Sequence, residues 1–427
     1  MTISKKASTQ AYVWIWLPNA YEPVVAGVLN QVNQQLIFNY GRNYLNNSNS
    51  IPIYLPELPF QTGQLPLLPG LMMPGCIRDA SPDAWGRRVL ITQLMRDIKS
   101  TSLSNELSEL DYLLESGSNR IGALDFQESS TKYIARNKQS SSLEELLIAS
   151  EKIEQGEILT PTLGLALQHG TSLGGARPKA LLVEESKQWI AKFSTRTDIF
   201  NVIKSEFVAM RLAKKVGLNV ANVALTKALG KDVLLIERFD RIKHDLWTRK
   251  ALVSALTILE LDEMMAPYAS YEKLADIIRK RFKEPESDLK ELFGRIVFNI
   301  LCGNTDDHAR NHAAFWDGST LELTPAYDIC PQSRTGQEAT QAMLISGQLR
   351  HSNLLTCLKG ASNFLLSNDE AINIINHQIQ VIQQSWNDIC ILAQLSEVER
   401  RYLMGRQFFN PFAFFNIPPE IKTPSIL

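Results

Sequence analysis

The sequence has few cysteines, no excess of either charge and no long apolar run. Its 5 cysteines among 427 residues are scattered and never spaced as Cys-x-x-Cys, which excludes a disulfide framework or cysteine-rich zinc site and favours reduced thiols. Lys and Arg total 44 against 45 Asp and Glu, without the basic excess of a general nucleic-acid binder. No stretch nears the roughly 18 apolar residues of a membrane span, and no signal-peptide pattern is present. We expect a cytoplasmic protein without membrane contact.

The chain has the composition of a globular protein, with 44% apolar and 21% charged residues. Its length predicts two or three domains. Short runs broken by Pro, Asn and Gly predict β-strands within residues 9–70, and residues 163–241 alternate apolar strands with one helix. From residue 251 onward the apolar spacing is mainly helical. The change near residue 242 predicts two lobes, and small-ligand sites often occupy the cleft between lobes.

A polar loop after an apolar helix carries the most informative pattern. Within Cys302–His312, Asp306 and Asn311 are five residues apart, the spacing of Asp and Asn in a protein-kinase catalytic loop. There the Asp accepts the substrate hydroxyl proton and the Asn binds magnesium. Downstream, a predicted strand leads to Asp328, a carboxylate suited to the magnesium that bridges ATP phosphates.

The other parts of a kinase site occur upstream in the expected order. Small residues in the turn Thr171–Lys179 allow backbone N–H groups to approach phosphates closely. Lys192 interrupts an apolar strand: strand alternation permits an exposed lysine, whereas a cleft-facing lysine would bind phosphates with Glu206 as its counter-ion. A further apolar strand leads to Glu237–Phe239, which we interpret as a hinge whose backbone binds adenine.

These motifs together resemble the HipA family of serine/threonine kinase toxins. The resemblance implies an α+β fold: an atypical two-lobed protein-kinase-like fold with an extra N-terminal β-rich subdomain and a mainly helical C-terminal lobe. It also implies an N-terminal subdomain in residues 1–155, a kinase-like N-lobe in 156–242 and a helical C-lobe in 243–427. The motifs that carry the resemblance are Ser172–Lys179, Ala191–Phe193, Glu237–Arg241, Thr305–Asn311, Pro325–Ile329 and, in the N-terminal part, Ser81–Arg88.

Residue roles follow from the resemblance by position. Asp306 would be the catalytic base, Asn311 and Asp328 the magnesium ligands, and Ser172 the autophosphorylated serine. The resemblance further implies contacts with ATP from Gly174, Gly175, Ala176, Arg177, Pro178, Lys179, Lys192, Glu237, Arg238, Phe239, His308, Asn311, Tyr327 and Asp328. Asp307 stands where the family can have a small residue, and we expect it at most to tune metal binding. The pair Arg177-Pro178 stiffens the turn, which makes regulation through Ser172 a weaker expectation than the ATP site.

The cofactors implied by the resemblance are ATP and Mg²⁺. Its implied partners are a protein substrate phosphorylated on serine, with aminoacyl-tRNA synthetases as the target class, and a DNA-binding helix-turn-helix antitoxin. DNA would be contacted only indirectly, or weakly, through the antitoxin complex.

Two other functions compete with the kinase hypothesis. A metal-dependent hydrolase would use His308 and His312, four residues apart, with Asp306 and Asp328 as further ligands. It leaves Lys192 and the glycine turn unexplained. A non-catalytic scaffold would bridge an antitoxin and DNA, but the presence of every kinase-site residue argues against an inactive site.

Overall fold

The computed structural model describes residues 8–97, 107–136, 141–157, 159–160, 163, 175–334, 336 and 338–424. The predicted sites Ser172 and Gly174 lie outside the described residues. None of the helices within these ranges combines the length and apolar character required to span a bilayer. All 5 cysteines are buried free thiols, as their scatter in the sequence predicts.

An antiparallel four-stranded sheet begins the chain, in the order β3-β2-β1-β4. Alternating apolar residues face the core from each strand, with Val13 and Phe38 fully buried. The strands predicted within residues 9–70 are confirmed. The strands are β1 Gln10–Ile15, β2 Val24–Val32, β3 Gln35–Tyr40 and β4 Leu124–Gln127.

Five short helices lie before and after β4 in this part of the chain. In the last of them, Ser142 accepts a hydrogen bond from the Glu145 backbone and the Glu145 side chain accepts one in return, which forms a capping box at the start of the helix. The helices are α1 Arg42–Leu45, α2 Gly75–Arg78, α3 Ala84–Asp97, α4 Glu109–Glu115 and α5 Leu143–Glu154.

A second antiparallel sheet, in the order β5-β6-β8-β7, forms the middle of the chain. One amphipathic helix packs on it, and the Asn201 side chain caps that helix by accepting from the Lys204 N–H. The elements are β5 Lys179–Val183, β6 Gln188–Phe193, α6 Val202–Lys215, β7 Val223–Ala228 and β8 Lys231–Glu237. The proposed domain boundaries at residues 155 and 242 stay predictions.

The remainder is mainly helical, with two small sheets, β10-β9 and β11-β12-β13. Their strands are β9 Arg241–Lys243, β10 Trp247–Arg249, β11 Leu252–Ser254, β12 Ala313–Trp316 and β13 Leu321–Leu323. The α-helices are α7 Ala255–Ile258, α8 Tyr271–Arg281, α9 Pro285–Cys302, α10 Leu354–Gly360, α11 Asn368–Leu392 and α12 Glu397–Leu403. Short 3₁₀ turns are Ala266–Tyr268, Ala309–Asn311, Ala361–Phe364 and Pro411–Phe414.

Helix α9 ends at Gly303, which directs the chain into the candidate catalytic loop. Gly303 has φ 73° in the left-handed region, where glycine is favoured because it has no Cβ. A Cβ there would also lie 2.7 Å from the carbonyl oxygen of Gln407. The loop can therefore start at this position only because the residue is glycine.

The C-terminal aromatic segment, residues 408–415, closes the core. Phe408 and Phe409 are fully buried, and the Phe408 ring lies 5.0 Å from that of Trp386 on α11. Aromatic rings packed in this way bury large apolar areas.

Replacing Phe408 with alanine is expected to lower the free energy of unfolding by about 3–5 kcal/mol, because the change leaves a cavity against Trp386. Urea unfolding monitored by circular dichroism measures the change. Phe415 is 60% exposed, so Phe415→Ala is the matched control and is expected to cost far less. Equal losses in the two variants would contradict the docking role of this segment.

Candidate active site

Lys192 is the centre of the candidate site. It lies on β6 opposite Leu234 of β8, and its Nζ is 2.6 Å from Oε1 of Glu206 on α6. The same amine contacts the carboxylate of Asp328, which follows β13. Lys192 is buried in the cleft, so the exposed-lysine alternative is wrong and the predicted pairing with Glu206 is confirmed.

The charges of this triad determine how its members titrate. Burial by itself lowers the pKa of Lys192, but the charges of Asp328 and Glu206 outweigh burial and raise it. Burial raises the pKa of Glu206 more than Lys192 lowers it. For Asp328, burial is outweighed by the two lysines, 192 and 179, and the pKa falls well below its usual range. Lys192 and Asp328 are therefore both charged at neutral pH.

Lys179 adds a second buried cation beside the first. It begins β5 directly opposite Lys192. Burial and then the charge of Lys192 lower the pKa of Lys179 to about 8, with Asp328 opposing them. Gly175 has φ 101°, and a Cβ there would collide with the Lys179 amine. Two lysines close to a phosphate-loop backbone are suited to a polyanion such as a triphosphate.

Asp328 is held in an unusual backbone conformation. Its φ of 59° lies in the left-handed region, where residues other than glycine are uncommon and strain often accompanies function. The Tyr327 hydroxyl donates to the Arg310 carbonyl at 2.7 Å, and the Ala326 N–H donates to the Asn219 carbonyl at 2.8 Å. These bonds fix the segment that directs the Asp328 carboxylate toward Lys192.

The loop after Gly303 presents the predicted base and metal ligands. Asp306 is exposed, and its backbone carbonyl accepts from the His308 N–H at 2.9 Å and from the Asn311 side-chain amide at 3.1 Å. Partial desolvation raises the pKa of Asp306; His308 opposes this, and the negative charge of Asp328 adds to it. Because Asn311 uses its amide nitrogen, its oxygen is the atom it would offer to a cation. Oxygen ligands from Asn311 and Asp328 fit the preference of Mg²⁺.

The contacts of Asp307 give it a different role from the expected tuning of metal binding. It is buried, and its Oδ2 accepts from Asn299 Nδ2 at 2.7 Å, lies 3.0 Å from His312 Nε2 and also contacts the Tyr271 hydroxyl. Burial raises the pKa of Asp307, but His312 and the hydrogen bonds outweigh burial and lower it. Asp307 therefore fixes the catalytic loop to the helices behind it. The sequence pattern missed Tyr271 and Asn299, which belong to α8 and α9 and carry no motif.

The hinge residues lie where β8 ends. The Glu237 and Arg238 N–H groups donate to the carbonyls of Asn222 and Gln188, so neither is available to adenine. The ring of Phe239 lies 5.7 Å from that of Tyr327 and 5.8 Å from that of Phe315. The prediction of an adenine contact at the hinge therefore rests on Phe239 and its neighbouring carbonyl groups.

Arg238 directs its side chain into a buried ionic cluster. Its guanidinium donates to both carboxylate oxygens of Asp240 and to the Arg120 carbonyl. Arg241 also donates to Asp240, at 2.9 Å. Burial raises the pKa of Asp240, but the two arginines outweigh it and keep the pKa far below its usual range. This cluster joins the end of β8 to residues 119–122 before β4, and it uses the Arg238 side chain that sequence analysis assigned to ATP.

The described part of the glycine turn has its own partners. Arg177 pairs with Asp198 at 2.8 Å, and the Pro178 carbonyl accepts from the Phe193 N–H at 3.0 Å. Ala176 is exposed and Gly175 half-buried. Arg177 therefore reaches a carboxylate of the loop before α6, and its contact with ATP stays a prediction.

The histidine pair is not arranged as the hydrolase hypothesis requires. His312 Nε2 is bonded to Asp307, whereas His308 Nδ1 is buried without a hydrogen-bond partner in the described part of the chain. Those same ranges contain no cluster of three or more His, Cys, Asp and Glu side chains able to hold a metal ion. The geometry favours the kinase interpretation over the hydrolase.

A lysine–glutamate pair, a loop with Asp and Asn, and a further Asp that all meet between two lobes define a protein of the kinase-like class. A family model of the HipA-like C-terminal domain matches residues 171–386, and one of the HipA N-terminal domain matches residues 19–127. The chain belongs to the HipA family.

Individual relatives are similar over part of their length. The serine/threonine-protein kinase toxin HipA of Shewanella oneidensis is 26% identical over 184 residues, 37% of this chain and 42% of that protein. A putative kinase of Haemophilus influenzae is 28% identical over 182 residues, 38% of this chain and 53% of that protein. The chain thus matches about half, or less, of the length of these relatives.

A solved structure extends the likeness to nearly the whole chain. HipA in the complex of Shewanella oneidensis HipA, HipB and operator DNA superposes with a TM-score of 0.65 and 18% identity, covering 93% of this chain and 95% of that one. This confirms the predicted α+β two-lobed kinase-like fold.

Asp307→Ala is expected to lower the free energy of unfolding by about 1–3 kcal/mol, because the change leaves buried donors of Asn299 and Tyr271 unsatisfied. Its neighbour Asp306 is exposed, so Asp306→Ala is the matched control, with an expected change within about 0.5 kcal/mol. Chemical denaturation of the two variants measures both values. If Asp306→Ala were the more destabilised, the roles given to the two carboxylates would be reversed.

Proposed function

We propose that this protein is an ATP- and Mg²⁺-dependent serine/threonine protein kinase that acts as the toxin of a toxin–antitoxin pair. The observation that carries the proposal is the contact of the Lys192 amine with both Glu206 and Asp328. It joins a strand, a helix and a loop around one cleft, beside the loop of Asp306 and Asn311. Phosphoryl transfer needs little else from a protein, because it depends on positioning and charge neutralisation.

Each residue has a defined task in this proposal. Lys192 and Lys179 bind the phosphates, and Asn311 and Asp328 would hold magnesium, which neutralises charge on the triphosphate oxygens when bound. Asp306 accepts the proton of the attacking protein hydroxyl. Partial desolvation raises the pKa of Asp306, which makes it a stronger base than an ordinary aspartate.

The partners in this proposal are a protein substrate of the aminoacyl-tRNA synthetase class and a helix-turn-helix antitoxin. Membership of the HipA family supports both, and the related HipA of Shewanella oneidensis was solved with HipB and operator DNA. We propose that DNA is contacted only indirectly, or weakly, through the antitoxin complex. Action in the cytoplasm is supported by the free thiols.

Asp306→Asn is expected to abolish phosphate incorporation while leaving the fold intact, because an amide cannot accept the hydroxyl proton. The measurement is mass spectrometry of phosphosites after incubation of each protein with ATP, magnesium and cell extract. Expression of the wild type is expected to arrest growth, whereas expression of Asp306→Asn is expected to leave growth unaffected.

The matched control is Glu397→Gln on the surface of α12, which should incorporate phosphate like the wild type. Incorporation by Asp306→Asn at the wild-type level would reject the assigned base. Growth arrest that persists in this variant would reject the kinase explanation of toxicity.

The activity with ATP should fall at alkaline pH as Lys179 loses its proton. Lys179, with a pKa of about 8, is charged below that pH and neutral above it, so phosphate binding weakens as pH rises. We expect kcat/KM for ATP, which reports the free enzyme, to fall above about pH 8. Lys179→Arg keeps its charge and should move this fall to higher pH. If kcat/KM of the variant fell over the same pH range as that of the wild type, the fall would belong to the titration of another group.

A further inference from the structure

Asp83 links two loops that the kinase motifs place on opposite sides of the cleft. It immediately precedes α3 in the N-terminal part of the chain, within the motif Ser81–Arg88. Its Oδ2 accepts from the backbone N–H of Gly175 in the phosphate loop. Its Oδ1 accepts from the Arg310 guanidinium in the catalytic loop. One carboxylate thus holds both loops.

Trp85, two residues further on, holds the same segment at a second point. Its indole N–H donates to the Lys179 carbonyl at 2.9 Å, and its backbone N–H donates to the Gly175 carbonyl at 3.4 Å. The start of α3 therefore contacts the backbone at both ends of residues 175–179. These residues include the buried Lys179 assigned to the phosphates.

Arg310 brings this link to the metal ligands. It immediately precedes Asn311, and its carbonyl accepts from the hydroxyl of Tyr327, which immediately precedes Asp328. Its guanidinium also pairs with Glu263. A displacement of Arg310 would therefore be transmitted to Asn311 and Asp328.

We propose that Asp83 is a positioning residue for phosphoryl transfer, which sets the phosphate loop and the catalytic loop at a fixed separation. The inference rests on the proposed kinase function and deepens it by assigning a task to the N-terminal subdomain. Transfer requires the hydroxyl, the phosphate and the metal ligands to be aligned, and a misplacement of about 1 Å can cost roughly 100-fold in rate. Asp83 controls that alignment through Gly175 and Arg310.

Thermal unfolding of each variant separates positioning from stability. The side chains of Asp83 and Arg310 are 22% and 25% exposed, so removal of either leaves a mostly buried partner group and is expected to lower stability. Rates are therefore compared at a temperature where thermal unfolding shows each variant to be folded.

We expect Asp83→Ala to lower kcat by about 10- to 100-fold, with the dissociation constant for ATP changed by less than about threefold. Arg310→Ala should also lower kcat, and the loss in the double variant should be smaller than the product of the two single losses, because both variants remove the Asp83–Arg310 contact. Asp83→Asn keeps an acceptor for Gly175 but loses the charge facing Arg310, so its kcat should be intermediate. The control is Glu397→Ala with Arg401→Ala, a surface pair on α12, with no expected change.

Hydrogen exchange tests the link without relying on activity. In Asp83→Ala, the backbone N–H groups of residues 175–177 and 179 should exchange faster than in the wild type, and those of the control variant should not. Unchanged exchange would overturn the inference, whether or not the protein is a kinase. Unchanged kcat, or losses that multiply in the double variant, would also overturn it in an active wild type. Absence of phosphoryl transfer by the wild type would instead reject the proposed function itself.

Discussion

The buried charge of Lys192 is the constraint on which the arrangement of the two lobes depends. A buried ammonium group is costly unless carboxylates compensate it, and removing one partner of such a pair is strongly destabilising. The compensation here comes from α6 and from the segment after β13, since Glu206 and Asp328 both contact the same amine. The three segments must therefore come together whenever the sheet that carries Lys192 is packed. The candidate site is therefore assembled by the same packing that brings the lobes together.

Local signals made much of the fold predictable. The strands β1 to β3 have clear turn residues between them, and α5 begins at a capping box, so neighbouring residues decide these elements. The pairing of Lys192 with Glu206 was also accessible, because they are only 14 residues apart and lie on adjacent elements. The hydrogen-bonded role of Asp307 could not be predicted, because its partner Tyr271 lies 36 residues away on another helix. The contact of Asp83 with Arg310 spans 227 residues and appears in no local pattern.

The similarity in fold covers more of this chain than the sequence identity to an individual relative does. The fold matches a solved HipA over 93% of the chain, whereas identity to the curated HipA covers 37%. Apolar cores tolerate extensive replacement if volume and patterning are kept. The geometry of a charged site depends on particular side chains, such as a lysine between two carboxylates. A fold can therefore extend further than the sequence identity to an individual relative, and function must be argued from the site.

The ionic cluster of Arg238, Asp240 and Arg241 has a consequence for how the cleft can open. It anchors the end of β8 to the Arg120 backbone through buried, charge-assisted hydrogen bonds, which are costly to break. The end of β8 beside Phe239 is therefore a fixed point, and we expect any opening of the cleft to move the opposite rim, where Lys179 and Lys192 lie.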